Sequence, residues 1–225
     1  MMQFLAVLVM AQAADPELTG ALDKVKSAER YAFKLESSVQ NGENANSTVV
    51  EGRFEKDRPV WMKSGDTEVY RRGEHLALLR NGDWKRLEGK GGEQRRRGAF
   101  TPAALRTLRL PHEDMATLLK QFKEIKKLDA KEGDQTVFVG EMTDEAAKAH
   151  LDANASFDRR PDGPLAGTGR FWVTASGELS MVEIIVRIKA KKGREHGVST
   201  WVTLSEIGTA KGEIPESALK ALEDK

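Results

Sequence analysis

Histidine is the side chain best suited to acid–base work or metal binding near neutral pH, and this chain has four: His75, His112, His150 and His196. They are scattered. None belongs to a helical pair such as H-E-x-x-H, which would set two ring nitrogens on one metal, so each is expected at the surface or in a loop. No cysteine is present, which excludes disulfides, thiolate metal sites and a cysteine nucleophile together. Ser199 and Ser205 lie in no nucleophile elbow. Asp23 with Glu29, and Asp144 with Glu145, read as helix-face charges before they read as a general acid and base. Gly89, Gly91, Gly92 and Gly98 surround Arg95, Arg96 and Arg97, but the segment lacks the Lys-Ser/Thr of a phosphate-cradling loop. It reads as a solvated loop, with contact to an anionic headgroup as the functional alternative. The expectation is a protein that binds and does not catalyse, with no metal and no cofactor.

Composition points the same way. At 225 residues and 39% hydrophobic content the chain can bury one sizeable core. Its 36 basic and 35 acidic side chains nearly cancel, to a net charge of +1, so no global field favours nucleic acid. The aromatic residues, 6% of the chain, form no base-stacking platform. At the start, Phe4 to Met10 is a short apolar run followed by Ala11-Gln12-Ala13, the small-x-small pattern of an export cleavage site. Residues 1–13 are therefore expected to be a leader, and 14–225 a single periplasmic or secreted domain, monomeric and without a membrane-spanning segment. The apolar run is too short to cross a bilayer.

The elements that must position any site follow from periodicity. Pro16 to Glu29 has helical spacing at Leu18, Leu22 and Val25. Tyr31 to Val39, Thr48 to Glu55, Val60 to Lys63, Thr67 to Arg71, His75 to Arg80 and Trp84 to Leu87 read as strands, with Asn41-Gly42 and Asn81-Gly82 as turns. Helices are expected from Thr101-Pro102 and over His112 to Phe122. A strand over Thr136 to Met142 leads to Thr143, which caps a helix from Asp144 to Leu151, and Asp158 to Gly169 reads as a loop. Three long strands follow, Arg170 to Ala175, Leu179 to Ala190 and Val198 to Ile207, the first two joined at Ser176-Gly177-Glu178. In the middle one Val182, Ile184, Val186 and Ile188 share a face, while Met181, Glu183, Arg187 and Lys189 face water. Pro215 opens a short final helix. Strands and helices come in blocks and do not alternate, which argues an α+β fold with helices gathered on an antiparallel sheet.

This layout resembles the superfamily of periplasmic lipoprotein carriers and lipid-binding lipoproteins of the LolA, LolB and LppX/LprG type. The residues that carry the resemblance are the meander Tyr70 to Leu87 ending in Asn81-Gly82-Asp83-Trp84-Lys85-Arg86-Leu87, and Phe171-Trp172-Val173 turning through Ser176-Gly177-Glu178-Leu179. Val202 to Gly208 and Ile214-Pro215 with the final helix complete it. The resemblance implies a strongly curved antiparallel sheet, an unclosed β-barrel, with helices capping its concave face over an apolar cavity. It also implies a carrier of lipid or acylated protein. The chain lacks the modified cysteine of the anchored members and so is more like the soluble carrier. The cavity would be lined by Phe33, Leu35, Val50, Phe54, Trp61, Leu78, Phe138, Val182, Ile184, Val186, Val202 and Leu204, although the same residues could simply pack a filled core. A sensory module of the same fold that binds an envelope protein and transports nothing is the alternative.

Overall fold

A computed structural model describes residues 15–87, 102–129, 131–154, 163–189 and 195–223. The expected leader and the Arg95, Arg96 and Arg97 segment lie outside the described residues.

The first half of the chain is a meander whose turns are written locally. Strands β1 (Arg30–Asn41) and β2 (Asn44–Glu55) turn at Gly42, where φ is +64°. After β3 (Val60–Ser64) and β4 (Thr67–Arg72), strands β5 (His75–Arg80) and β6 (Asp83–Arg86) are joined by Asn81-Gly82. Both turn residues have positive φ, 54° and 85°, as a two-residue type I′ hairpin demands. The second half repeats the plan with β7 (Phe122–Lys127), β8 (Thr136–Met142), β9 (Leu165–Val173), β10 (Leu179–Lys189) and β11 (Glu195–Ser205).

Antiparallel pairing of β1 with β11, from Ala32 opposite Ser205 to Asn41 opposite His196, joins the two meanders. The result is one 11-stranded antiparallel sheet in the order β6-β5-β4-β3-β2-β1-β11-β10-β9-β8-β7. It is not closed, since β6 and β7 are its two edges. A twisted open sheet of this many strands curls.

That order explains where the helices sit. The chain leaves the sheet at one edge, β6, and must re-enter at the other, β7, so the connection has to cross a face. It does so through α2 (Pro102–Thr107), α3 (Pro111–Leu118) and one 3-10 turn, Leu119–Gln121. Joined by α1 (Pro16–Ser27) and α4 (Asp144–Asn154), this layer buries Leu18, Leu22, Val25, Leu105, Leu118 and Leu151 in one core with the inward side chains of the sheet. The last helix, α5 (Glu216–Glu223), lies on the opposite face, where Ala218, Ala221 and Leu222 pack with Tyr70 and Ala77 in a separate cluster.

Local signals start the helices. Asp15 accepts a hydrogen bond from the amide of Glu17 at 2.9 Å, with Pro16 opening α1, and the Thr143 hydroxyl accepts from the amide of Ala146 at 3.1 Å to cap α4. A third helix end is satisfied from a distance. The buried Arg71 donates from Nη1 to the carbonyls of Leu105, Arg106 and Leu108 at 3.2, 3.0 and 2.6 Å, tying the C-terminal end of α2 to the inner face of β4.

Two expectations are corrected. The helix expected over His112 to Phe122 ends at Leu118, and Phe122 opens an edge strand. The loop expected to run to Gly169 ends earlier, because β9 begins at Leu165. Gly167 and Gly169 depress strand propensity, but they serve packing. A Cβ on Gly169 would lie 2.4 Å from the ring of Phe122, and one on Gly167 2.8 Å from Cβ of Ala147. Together with Gly140, whose Cβ would meet Phe122 at 2.8 Å, Gly169 makes a floor for the Phe122 ring. That ring also meets Phe171 edge-on at 5.4 Å.

Candidate functional site

Because paired residues in an antiparallel sheet share a face, the register arranges most of the expected lining residues in cross-strand rows. One row runs Val50, Leu35, Val202, Val182, Phe171, Phe138. Its neighbour runs Leu204, Phe33, Gly52, Met62, Val69, Leu78. Gly52 is required here, since a Cβ would lie 2.2 Å from the ring of Phe33 that covers it. Ile184 and Val186 face the same way on β10, and Phe54 does so at the end of β2, opposite Tyr31.

Burial divides this concave surface into two regimes. Val50, Phe138, Val182 and Val186 are sealed in the core. Leu35 and Val202, paired in the middle of the sheet, are only half-buried, and so is Val39, two rows further along β1 opposite Val198. Among the described helices, α1 and α4 lie over β9 to β11 and α2 over β4 and β5; none packs broadly on β1 or β2. A strip of aliphatic surface is thus left between the two groups.

A polar row crosses the strip between Leu35 and Val39: Thr48, Ser37 and Thr200 pair across β2, β1 and β11 before the row turns apolar at Ile184. Ser37 and Thr200 are buried. The Thr200 hydroxyl lies 3.2 Å from Nε2 of His150 on α4, and burial pushes the imidazole pKa down to about 4. Of the histidines expected at the surface or in a loop, three are half-buried, His150, His112 and His196. His112, on α3, has Nδ1 2.7 Å from the Tyr31 hydroxyl and its ring 4.3 Å from that of Phe54. Burial raises the Tyr31 pKa, so the phenol keeps its proton and shares a hydrogen bond with Nδ1, while the His112 amide donates to the phenol oxygen at 3.4 Å. These contacts hold α3 to the ends of β1 and β2.

Trp61 departs from the expected lining. It pairs with Arg53 and Tyr70, so it lies on the outer face with α5, while Val60 and Met62 point into the core. Glu183 is also misread as a water-facing residue. Its side chain is only 15% exposed, accepts a hydrogen bond from Nε1 of Trp201 at 2.8 Å and lies 3.8 Å from Arg170.

His150 gives this site a measurable pH dependence. Its pKa is depressed on folding, so the unfolded chain binds a proton in a range where the folded chain does not. The neutral-histidine contribution is complete above the unfolded value near 6.5 and is lost as pH falls from there toward about 4, up to about 3 kcal/mol. Urea titrations of the protein and of His150→Asn at pH 7.5 and 4.5 should show the variant losing distinctly less stability between the two. Equal losses would remove His150 as the cause.

No protein-family model and no curated relative matches the chain. Among solved structures it is similar to LprF from Mycobacterium bovis, at 15% identity and a TM-score of 0.46, with 90% of this chain and 95% of that chain covered. It is also similar to a LolA superfamily protein from Nitrosomonas europaea, at 10% identity and a TM-score of 0.33, covering 92% and 97%.

Proposed function

We propose that the chain is an exported, non-catalytic carrier that holds the acyl chain of a lipid, or of an acylated protein, against the concave face of its open antiparallel sheet. Residues 14–225 form the carrier domain behind a leader at 1–13. The observation that supports this reading is the half-buried pair Leu35 and Val202 between the two helix groups, continuous with the apolar row that runs from Val50 to Phe138, with Val39 half-buried beyond the polar row. Aliphatic walls with a few convergent polar groups suit a long-chain ligand. Here the polar groups are Ser37, Thr48 and Thr200, in the row next to Leu35 and Val202, where an ester or amide of an acylated ligand would find partners. The layout resembles that of the soluble lipoprotein carriers, which agrees.

Transfer of methylene groups from water gives about 0.8 kcal/mol each, so two added methylenes should tighten binding by about tenfold. Titration with fluorescent fatty acids of increasing length is expected to show that climb until the strip is filled. Leu35→Gln should flatten it while leaving the urea midpoint nearly unchanged, because the residue is half-exposed. Mass spectrometry after organic extraction of protein from its native host should recover a lipid. Binding that is absent, or flat with chain length, would overturn the carrier in favour of a module that recognises an envelope protein.

A further inference from the structure

The outer face carries a second concavity that the carrier function does not use. Where β2 turns into β3, a half-open cleft of about 240 Å³ is walled on one side by Trp61 and Tyr70 and on the other by the Ala210 to Ile214 segment that leads from β11 to α5. The segment is fixed there, since the Tyr70 hydroxyl donates to the carbonyl of Glu213 at 3.0 Å. Trp61 is fixed too, donating from Nε1 to Glu68 at 2.8 Å. Both walls are therefore preformed.

The charges around the cleft are unequally committed. Glu55 is held by Arg30 at 3.4 Å and by Arg58 at 2.7 Å, and Glu68 is engaged by Trp61. Glu213 stands exposed at the rim. Arg53 lies with its guanidinium carbon 5.6 Å from the centre of the Trp61 ring, and among the described residues neither Arg53 nor Lys211 has a hydrogen-bond or carboxylate partner. A guanidinium set against an indole is restricted in orientation while its N–H fork stays available, the arrangement that takes a carboxylate through two parallel hydrogen bonds. Gly212 stands 3.8 Å from the Arg53 stem, measured from the Cβ it lacks, so this wall comes close to the arginine. The volume falls below the roughly 300–1,000 Å³ of sites for drug-sized ligands, which restricts the occupant to a molecule with one small ring or a short chain.

We infer that this outer cleft binds a small planar carboxylate, its anionic group on Arg53 with Lys211 nearby and its body against Trp61 and Tyr70. The site is independent of the concave face. Its test follows the indole N–H signal of Trp61 by NMR, assigned with Trp61→Phe, while benzoate and then indole-3-acetate are added to the full chain. The neutral amide benzamide is the control. A saturable shift of the Trp61 signal is expected, with affinity at least about tenfold weaker for benzamide and for benzoate on Arg53→Gln. The indole signals of Trp172 and Trp201 should stay in place in that variant, showing that the fold is kept, and fatty-acid affinity should be unchanged. No saturation, equal binding of benzamide, or unchanged benzoate affinity in Arg53→Gln would each overturn the assignment.

Discussion

Ile184→Asp is expected to leave the domain unable to fold at ordinary temperature. Ile184 is 8% exposed in the middle of β10, between Gly169 on β9 and Thr200 on β11. A carboxylate there would sit in the apolar face, so it must either be buried charged or take up a proton, and both routes cost several kcal/mol. A domain's whole margin is about 5–15 kcal/mol. The neighbouring substitution Glu183→Lys is the comparison. Alternation alone makes it harmless, but the structure gives Glu183 to the Trp201 indole and to Arg170, so the lysine leaves an indole N–H unpaired and adds a like charge beside Arg170. A loss of about 1–3 kcal/mol is expected for it, read from urea midpoints, while the aspartate variant should be largely insoluble. Equal, small effects of the two would show that the face assignment of β10 is wrong.

Gly197→Ala should be the most costly change of a single methyl group in this sheet. A Cβ at Gly197 on β11 would lie 2.5 Å from the carbonyl oxygen of Val186 on the adjacent strand, and the obstacle is backbone, which cannot rotate away as a side chain can. Relief requires β10 and β11 to separate at the point where the second meander is held to β1, so about 3 kcal/mol or more is expected. Gly20→Ala provides the opposite sign. Gly20 lies within α1 with nothing inside 4 Å of the missing Cβ, so alanine there should stabilise by about 0.5–1 kcal/mol through helix propensity. Thermal and urea unfolding of both variants checks the pair. A Gly197→Ala protein as stable as the parent would mean that β11 does not run against β10 as described.

Much of the fold was written in short-range signals. The Asn81-Gly82 hairpin, the Thr143 cap and the alternation of Val182, Ile184, Val186 and Ile188 depend only on residues within a few positions of one another, so periodicity and turn chemistry reveal them. The same alternation puts Phe33, Leu35, Val202 and Leu204 on one face without any knowledge of what lies opposite. Trp61 shows where this stops. In Val60-Trp61-Met62-Lys63, apolar residues point both ways because β3 is covered on its inner face by the core and packed on its outer face near α5, and a strand with apolar residues on both faces loses the alternation that would assign them. Trp61 therefore fell to the wrong side, and the cleft it walls had no signal in its own segment, since its other wall comes from residues 210–214.

What the tertiary structure alone decided lies at long separations. Gly167 and Gly169 read as loop until Phe122 is laid over Gly169 and Ala147 over Gly167, and Glu183 reads as solvated until the pairing of β10 with β11 brings Trp201 beside it. His150 is a surface histidine until α4 docks and sets it against Thr200. The pairing of β1 with β11, which makes one open sheet from two meanders, joins Asn41 to His196. Short-range preferences can fix which residues face the same way along a strand, but which strand comes to lie beside another is fixed only by the burial gained when the whole chain closes on its core.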